Sequence, residues 1–134
     1  MTRSSFLLSA AAAAALPGAA AAQSNRVFEL RTYYTLPGRL PNLLARFRDH
    51  TVKLFEKHGM TNVGYWVPAD APGSENTLIY VLAHASRDAA KQSWDAFRTD
   101  PAWLKARAES EKDGKIVDKV EAVYLNPVDF SALR

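Results

Sequence analysis

The amino-acid sequence predicts an α+β fold built on a four-stranded antiparallel sheet. Three observations support it: apolar side chains alternate with a period of two in four segments, they recur with helical spacing in the segments between, and Pro, Gly, Asn and Asp separate the two kinds. The elements follow the order strand, helix, strand, strand, helix pair, strand. At 134 residues the chain is the size of one domain with a real core.

The first predicted strand, residues 27–34, has two faces of different character. Phe28 and Leu30 alternate with Glu29, Arg31 and Tyr33. We expect Phe28 and Leu30 to face a layer of helices, so that the polar set lies on the opposite side of the sheet. Exposing charge on that side is favourable only if a cavity or a second subunit receives it.

A long helix is predicted next, from Leu40 to His58. Apolar residues recur along one of its faces, Pro41 suits the first turn and Gly59 suits the C-terminal cap, while Arg46 falls outside the apolar face. Two strands follow over residues 60–67 and 77–84, separated by a turn-rich connection. In the second of these strands both alternating sets are partly apolar, which is typical of a strand covered on both sides.

The last part of the chain contains two helical pieces and a strand. Ser86 is a suitable cap for the first piece, and Asp100-Pro101 predicts a break followed by a new helix that runs to about residue 113. Residues 116–125 alternate as a fourth strand, which Asn126-Pro127 ends.

This order of elements predicts a ferredoxin-like βαββαβ arrangement with the helices on one face of the sheet. The uncovered face would present Val, Leu, Tyr and Trp side chains to water, an apolar patch larger than monomers usually tolerate. We therefore expect a homodimer that forms sheet to sheet.

Composition argues against several classes of function. The net charge is +3 without any run of Lys or Arg, so we expect no nucleic-acid partner. No cysteine occurs, which excludes disulfides and thiol catalysis. The sequence also lacks a Gly-rich phosphate loop, a serine elbow and His or carboxylate residues at metal spacing, so we expect no metal and no cofactor.

Residues 1–22 have the pattern of a secretory signal peptide. A short basic start containing Arg3 precedes an alanine-rich apolar run, and small residues near Ala22 suit cleavage. Pro17-Gly18 interrupts the run well before the roughly 20 residues that a spanning helix needs, so we expect no membrane span after cleavage. The mature domain is predicted to cover residues 23–134 and to be periplasmic or secreted.

Four motifs occur in order along the chain: Glu29-Leu30-Arg31-Thr32-Tyr33 followed by Pro37-Gly38, then Gly64-Tyr65-Trp66, Asp100-Pro101-Ala102-Trp103 and Asn126-Pro127-Val128-Asp129-Phe130-Ser131. Together they resemble the NIPSNAP family of the dimeric α/β-barrel superfamily. The resemblance spans roughly Val27 to Arg134 and implies a ferredoxin-like protomer that pairs into a barrel with a cavity between the sheets. It implies no particular reaction, because the superfamily includes cofactor-free monooxygenases, decarboxylating or isomerising enzymes and haem proteins. The signal peptide differs from family members that act inside cells or organelles, so their partners are not transferred.

A ligand-binding site is predicted within that cavity. Arg31 would pair with Glu29 or bind a carboxylate or enolate, since its planar fork matches two oxygens. His84 or Glu29 would accept a proton, and the tyrosines would donate to a developing oxyanion. The predicted site comprises Glu29, Arg31, Tyr33, Trp66, Tyr80 and His84.

Three functions remain open from the sequence. The first is binding of a small, largely apolar molecule with an acidic or carbonyl group, with or without cofactor-free monooxygenase or isomerase chemistry. The second is a non-catalytic homodimeric interaction module, in which Glu29 and Arg31 pair with each other at the interface. The third is haem binding with His84 as the axial ligand. No catalytic residue is assigned.

Overall fold

The computed structural model describes residues 26–134, and it confirms the predicted order of elements. The strands are β1 (Val27–Thr35), β2 (Thr61–Trp66), β3 (Thr77–His84) and β4 (Val117–Leu125). The helices are α1 (Leu40–Arg46), α2 (Val52–Lys57), α3 (Gly73–Asn76), α4 (Arg87–Thr99) and α5 (Pro101–Ser110), and a π-helical turn (Phe47–Thr51) joins α1 to α2. The predicted signal peptide, residues 1–22, lies outside the described residues.

The sheet has the order β2-β3-β1-β4, and every neighbouring pair is antiparallel. This is the ferredoxin-like topology expected from the sequence. Strand β1 lies between β3 and β4, so that Glu29 is opposite Leu82 on one side and Tyr124 on the other. Side chains of β1 therefore have neighbours on both flanking strands.

Both predicted helix caps of the second half are present. The Ser86 hydroxyl accepts a hydrogen bond from the Ala89 amide at 3.0 Å, which starts α4. The Asp100 carboxylate accepts one from the Ala102 amide at 2.8 Å, and Pro101 is the first residue of α5. The break between the two helices is thus encoded locally, by Asp100-Pro101.

The predicted long helix contains a wide turn that its apolar spacing did not indicate. In the π-helical turn the Thr51 hydroxyl donates to the Arg46 carbonyl at 3.3 Å, and both residues are buried. A single π turn shifts the register of the helical faces and is often found at functional sites. Arg46, expected on the solvated face, is only 5% exposed.

The helices cover the side of β1 opposite to the one predicted. The Trp94 indole of α4 donates to Glu29 at 2.8 Å, and the Arg31 guanidinium lies 4.3 Å from the centre of the Trp94 ring. Tyr33 packs edge-on against Phe47 at 5.6 Å between ring centres. The predicted placement of Glu29, Arg31 and Tyr33 away from the helices is therefore wrong.

The same correction applies to β3, where Tyr80 and His84 also face the helices. These polar side chains are stable beneath the helices because they form hydrogen bonds with one another. The alternation of residue types along one strand does not reveal such bonds. Phe28 and Leu30 consequently lie on the side of the sheet that the helices leave uncovered, called the open face below. The predicted cavity between two sheets is therefore not lined by Glu29, Arg31, Tyr33, Tyr80 or His84.

The core fills the layer between the sheet and the helices. Its buried apolar residues are Leu40, Leu43, Phe47, Phe55, Met60, Leu78, Tyr80, Leu82, Trp94, Phe97 and Ile116. The open face instead carries apolar side chains that remain partly or largely accessible, including Leu30, Trp66, Ile79, Val81, Val123 and Leu125. Within residues 26–134, none of the helices has the length and apolar character needed to span a bilayer.

Candidate functional site

Four of the predicted residues, Glu29, Arg31, Tyr80 and His84, form together with Trp94 what we call the buried network. Glu29 is at its centre, 2% exposed, and it accepts three hydrogen bonds. The Trp94 Nε1 and His84 Nε2 atoms each lie 2.8 Å from Glu29 Oε1, and Arg31 Nη1 lies 2.9 Å from Oε2. A buried carboxylate with three partners retains most of the bonding it would have in water.

Arg31 distributes its donors among three acceptors. Besides Glu29, its Nε donates to the Tyr80 hydroxyl at 2.9 Å and its Nη2 to the Tyr33 hydroxyl at 3.3 Å. The guanidinium plane also lies against Trp94, so its charge is stabilised by both hydrogen bonds and the aromatic ring. This geometry fixes Arg31 rigidly beneath α4.

The charge states follow from competing effects. Burial raises the pKa of Glu29, but hydrogen bonds from His84 and Trp94 and the charge of Arg31 outweigh it, and the net pKa is lowered. Burial by itself lowers the pKa of Arg31. Tyr33, Tyr80 and Glu29 raise it by more than burial lowers it, so the net pKa is raised and the guanidinium stays protonated. Burial raises the pKa of Tyr80 well above 10, which keeps its hydroxyl a neutral donor.

The buried network has little capacity for a ligand. Its carboxylate and guanidinium are engaged with each other and with fixed neighbours, and His84 is 2% exposed. Within residues 26–134, His84 Nδ1 has no partner, but His84 lines none of the cavities described below. The sixth predicted residue, Trp66, lies apart on the open face and is 54% exposed.

A cavity of about 230 Å³ lies at the other end of this layer, where β1 and β4 meet α1 and α5. We call it the helix-side cavity. Tyr33 links it to the buried network, because the Tyr33 hydroxyl is bonded to Arg31 while the side chain also lines the cavity. Its lining residues are Tyr33, Arg46, Trp103, Arg107, Glu111, Lys115, Val117 and Val120.

Arg46 is the unusual member of this lining. It is 5% exposed, yet its Nε has no partner among the described residues. Its Nη1 donates to Ser110 Oγ at 3.3 Å and lies 3.8 Å from a Glu111 oxygen, beyond hydrogen-bond distance. Burial lowers the pKa of Arg46, with Glu111 acting in the opposite direction. A buried guanidinium with an unused donor is costly unless something completes its bonding.

The charges around the cavity are unequal. Arg46, Arg107 and Lys115 contribute three cations, whereas Glu111 contributes the one carboxylate of the lining. That carboxylate already lies 3.6 Å from Arg107 Nε. Because cations outnumber anions here, the cavity attracts negative charge.

Sequence reasoning missed most of this lining. The sequence pattern places Arg46 outside the apolar face of its helix and gives no reason to single out Arg107 or Lys115. The available signal for Trp103 was its place in the Asp100-Pro101-Ala102-Trp103 motif. Arg46 gave none, because the π-helical turn that accompanies its burial is not visible in the apolar spacing.

Two of the other cavities are less suited to a small anion. One, about 380 Å³, lies on the open face and is mostly apolar, lined by Phe28, Val81, Leu125, Asn126, Pro127, Val128, Ser131 and Leu133. Another, about 270 Å³, is also lined by Arg46, but three carboxylates, those of Asp49, Glu109 and Asp113, line it as well and disfavour an anion. Across residues 26–134 there is no cluster of His, Asp and Glu that would hold a metal ion.

The sheet order and the helices on one face define the class: a ferredoxin-like α+β protomer. Within that class the chain belongs to the NIPSNAP family, whose model matches residues 28–132. No curated protein matches the chain at a significant level.

Solved structures agree with this fold. A NIPSNAP family protein with unknown function from Agrobacterium tumefaciens has a TM-score of 0.70 at 24% identity, covering 83% of this chain and 96% of that chain. A NIPSNAP-like domain protein from Burkholderia xenovorans has a TM-score of 0.69 at 14% identity, covering 81% and 90%. SnoaB, a cofactor-independent oxygenase from Streptomyces nogalater, has a TM-score of 0.54 at 11% identity, covering 81% and 98%.

Proposed function

We propose that this protein binds a small organic anion in the helix-side cavity. The observation that carries the proposal is Arg46, a buried guanidinium that lines the cavity and whose Nε donor has no partner among the described residues. A ligand carboxylate would supply the missing acceptor, and Arg107 and Lys115 would add favourable charge. Val117 and Val120 offer an apolar wall for the rest of the molecule.

The size of the cavity limits the ligand. A volume of about 230 Å³ is the space of roughly eight water molecules at about 30 Å³ each, which suits a compact acid rather than a large cofactor. This keeps the ligand class expected from the sequence, a small molecule with an acidic group, but moves it from between two sheets to between sheet and helices.

Titration with three matched compounds tests the proposal. Phenylacetate, 2-phenylethanol and 2-phenylethylamine share a ring and chain but are anionic, neutral and cationic. We expect only phenylacetate to bind, by calorimetry or ligand-observed NMR, and Arg46→Met to weaken it about tenfold or more, as expected for a hydrogen bond to a charged group. Arg48→Met is the matched control, because Arg48 is exposed on the same helical segment. Equal binding of the three compounds would contradict an anion site.

The surroundings of His84, the axial ligand of the haem alternative, do not favour haem binding. His84 is enclosed, its Nε2 lies 2.8 Å from Glu29, and its Nδ1 is buried. An axial role would require the buried network to break. Cofactor-free chemistry is a separate question, and we assign no catalytic residue to it.

We also propose that a second copy of the chain covers the open face, as the interaction-module hypothesis requires. The support is the exposed apolar character of that face, where Val123 is 49% exposed and Leu125 41%. Light scattering after gel filtration should give a dimer. Val123→Glu should yield monomers, whereas Val120→Glu, on the same strand but facing the helix side, should remain dimeric. A wild-type monomer would refute the pairing.

Export remains a prediction that rests on residues 1–22. We propose a periplasmic or secreted mature protein that begins near residue 23. Expression of the full chain in a Gram-negative bacterium, followed by fractionation and intact mass measurement, tests it. Uncleaved protein in the cytoplasmic fraction would contradict export.

A further inference from the structure

The Tyr33 hydroxyl is a donor without an acceptor among the described residues, and the hydrogen bonds around it explain why. Three polar groups meet at this point: the Arg31 guanidinium and the hydroxyls of Tyr80 and Tyr33. Arg31 donates to both hydroxyls, at 2.9 Å to Tyr80 and 3.3 Å to Tyr33. Because a guanidinium has donors only, each hydroxyl oxygen acts as acceptor toward it.

Tyr80 can place its own proton in one direction only. The residue is fully buried, and its oxygen lies 3.0 Å from the Tyr33 oxygen, the partner to which it donates. An alternative in which Tyr33 donates to Tyr80 would leave a buried Tyr80 proton without an acceptor, at a cost of about 1–3 kcal/mol.

The Tyr33 oxygen therefore accepts from Arg31 and from Tyr80, which uses both of its lone pairs. Its own proton has no acceptor within residues 26–134. Tyr33 is the one residue of this trio that lines the helix-side cavity, so a ligand bound there can supply the acceptor for that proton.

The cavity lining thus includes two residues with an unused donor. One donor is the Arg46 Nε–H, and the other is the Tyr33 O–H. A ligand carboxylate paired with the Arg46 guanidinium leaves the Tyr33 O–H for a second acceptor group on the same molecule.

We propose that the ligand is a 2-oxo carboxylic acid, with its carboxylate on Arg46 and its oxo oxygen accepting from Tyr33. This inference rests on the anion site proposed above and adds the second recognition group. Tyr33 binds the ligand in this scheme, and the hydrogen bonds from Arg31 and Tyr80 orient its hydroxyl. An acid whose 2-position carries only hydrogen leaves the Tyr33 hydroxyl without an acceptor. We therefore expect such acids to bind less tightly than 2-oxo acids.

Two acids that differ at one carbon test the inference. Benzoylformate has a carbonyl where phenylacetate has a methylene, so the pair isolates the oxo group. We expect wild-type protein to bind benzoylformate about five- to tenfold more tightly, the effect of one hydrogen bond. Tyr33→Phe should abolish this preference while the folded protein still binds both acids. It should also lower the thermal unfolding midpoint by several degrees, because the buried Tyr80 hydroxyl loses its acceptor. Tyr34→Phe, which removes the neighbouring hydroxyl bonded to Glu121 on the open face, should preserve it.

The possible results separate the two proposals. If neither acid binds the wild-type protein, the anion site and the 2-oxo acid proposal both fail. If both acids bind equally, with Arg46→Met weakening both, the anion site stands and the role of Tyr33 is refuted. A preference for benzoylformate that persists in Tyr33→Phe also refutes it.

Discussion

Two polar clusters share the layer between the sheet and the helices, and they differ in how completely their bonding is satisfied. In the buried network, Glu29 and Arg31 bond to each other and to fixed neighbours. In the helix-side cavity, Arg46 and Tyr33 each retain a donor that the described residues do not use. The first arrangement stabilises the fold, whereas we propose that a ligand completes the second. Burial of charge alone does not point to a site; an unused donor on a residue that lines a cavity supports the proposal of one.

The largest effect that this comparison predicts is on stability, at Glu29. Glu29→Ala leaves the Arg31 charge buried without its ion pair, so we expect unfolding free energy to fall by about 3–5 kcal/mol. Urea denaturation measures this. The double variant Glu29→Leu/Arg31→Leu should recover part of the loss, because no unpaired charge remains. A loss below about 1 kcal/mol would show that the network is not structural.

A second prediction concerns acid. Because the pKa of Glu29 is lowered in the folded state, its stabilisation is present above the unfolded pKa, about 4.3, and is lost as pH falls through the folded value. The urea midpoint of wild-type protein should therefore decrease below about pH 5. Glu29→Gln should be less stable at neutral pH and show a flatter decrease. An unchanged slope would contradict the assigned charge state.

Asp100 provides a comparison outside both clusters. Hydrogen bonds from Lys57 and His58 and from the Ala102 amide hold the pKa of Asp100 well below its usual range. Asp100→Asn should also flatten the acid limb of stability, independently of Glu29, because the two carboxylates share no partner. Measuring both single variants and the double variant tests that independence.

A fourth prediction contrasts two buried arginines. Arg46→Met should leave stability unchanged or raise it by about 1 kcal/mol, because it removes a poorly satisfied charge. Arg31→Met, the matched variant in the buried network, should destabilise the protein by several kcal/mol, because it leaves Glu29 without its ion pair. Similar losses of unfolding free energy in the two variants would contradict the distinction between the buried network and the helix-side cavity.

The smallest effect is expected far from both clusters. Lys91 and Asp95 form an exposed ion pair at 2.8 Å on the outer face of α4, with 77% and 60% of their side chains exposed. Lys91→Ala should produce no measurable change in the urea midpoint at physiological salt, since water and ions screen such pairs. A clear decrease in the urea midpoint of Lys91→Ala would contradict the expectation that exposed ion pairs contribute little to the stability of this protein.

The sequence predicted the architecture well because the relevant signals are local. Ser86 and Asp100-Pro101 define helix ends through contacts within three residues, and both caps are present. The alternation of apolar residues located all four strands. Once the order of elements is known, the handedness of the connections leaves few arrangements open.

The orientation of the strands was decided only by tertiary structure. Alternation along residues 27–35 states that two faces differ but not which one the helices cover. The assignment depended on Trp94, 65 residues away from Glu29, whose indole makes the polar face of β1 acceptable beneath α4. A long-range partner of this kind cannot be read from either segment alone.

By itself, the sequence determined the elements, their order and the polar residues that would matter, because propensity, capping and periodicity act over a few neighbouring residues. Tertiary structure decided that five of the six predicted site residues lie under the helices, and that Arg46 is buried with a donor to spare. The reason is physical: whether a polar group is satisfied depends on atoms that distant parts of the chain bring to it.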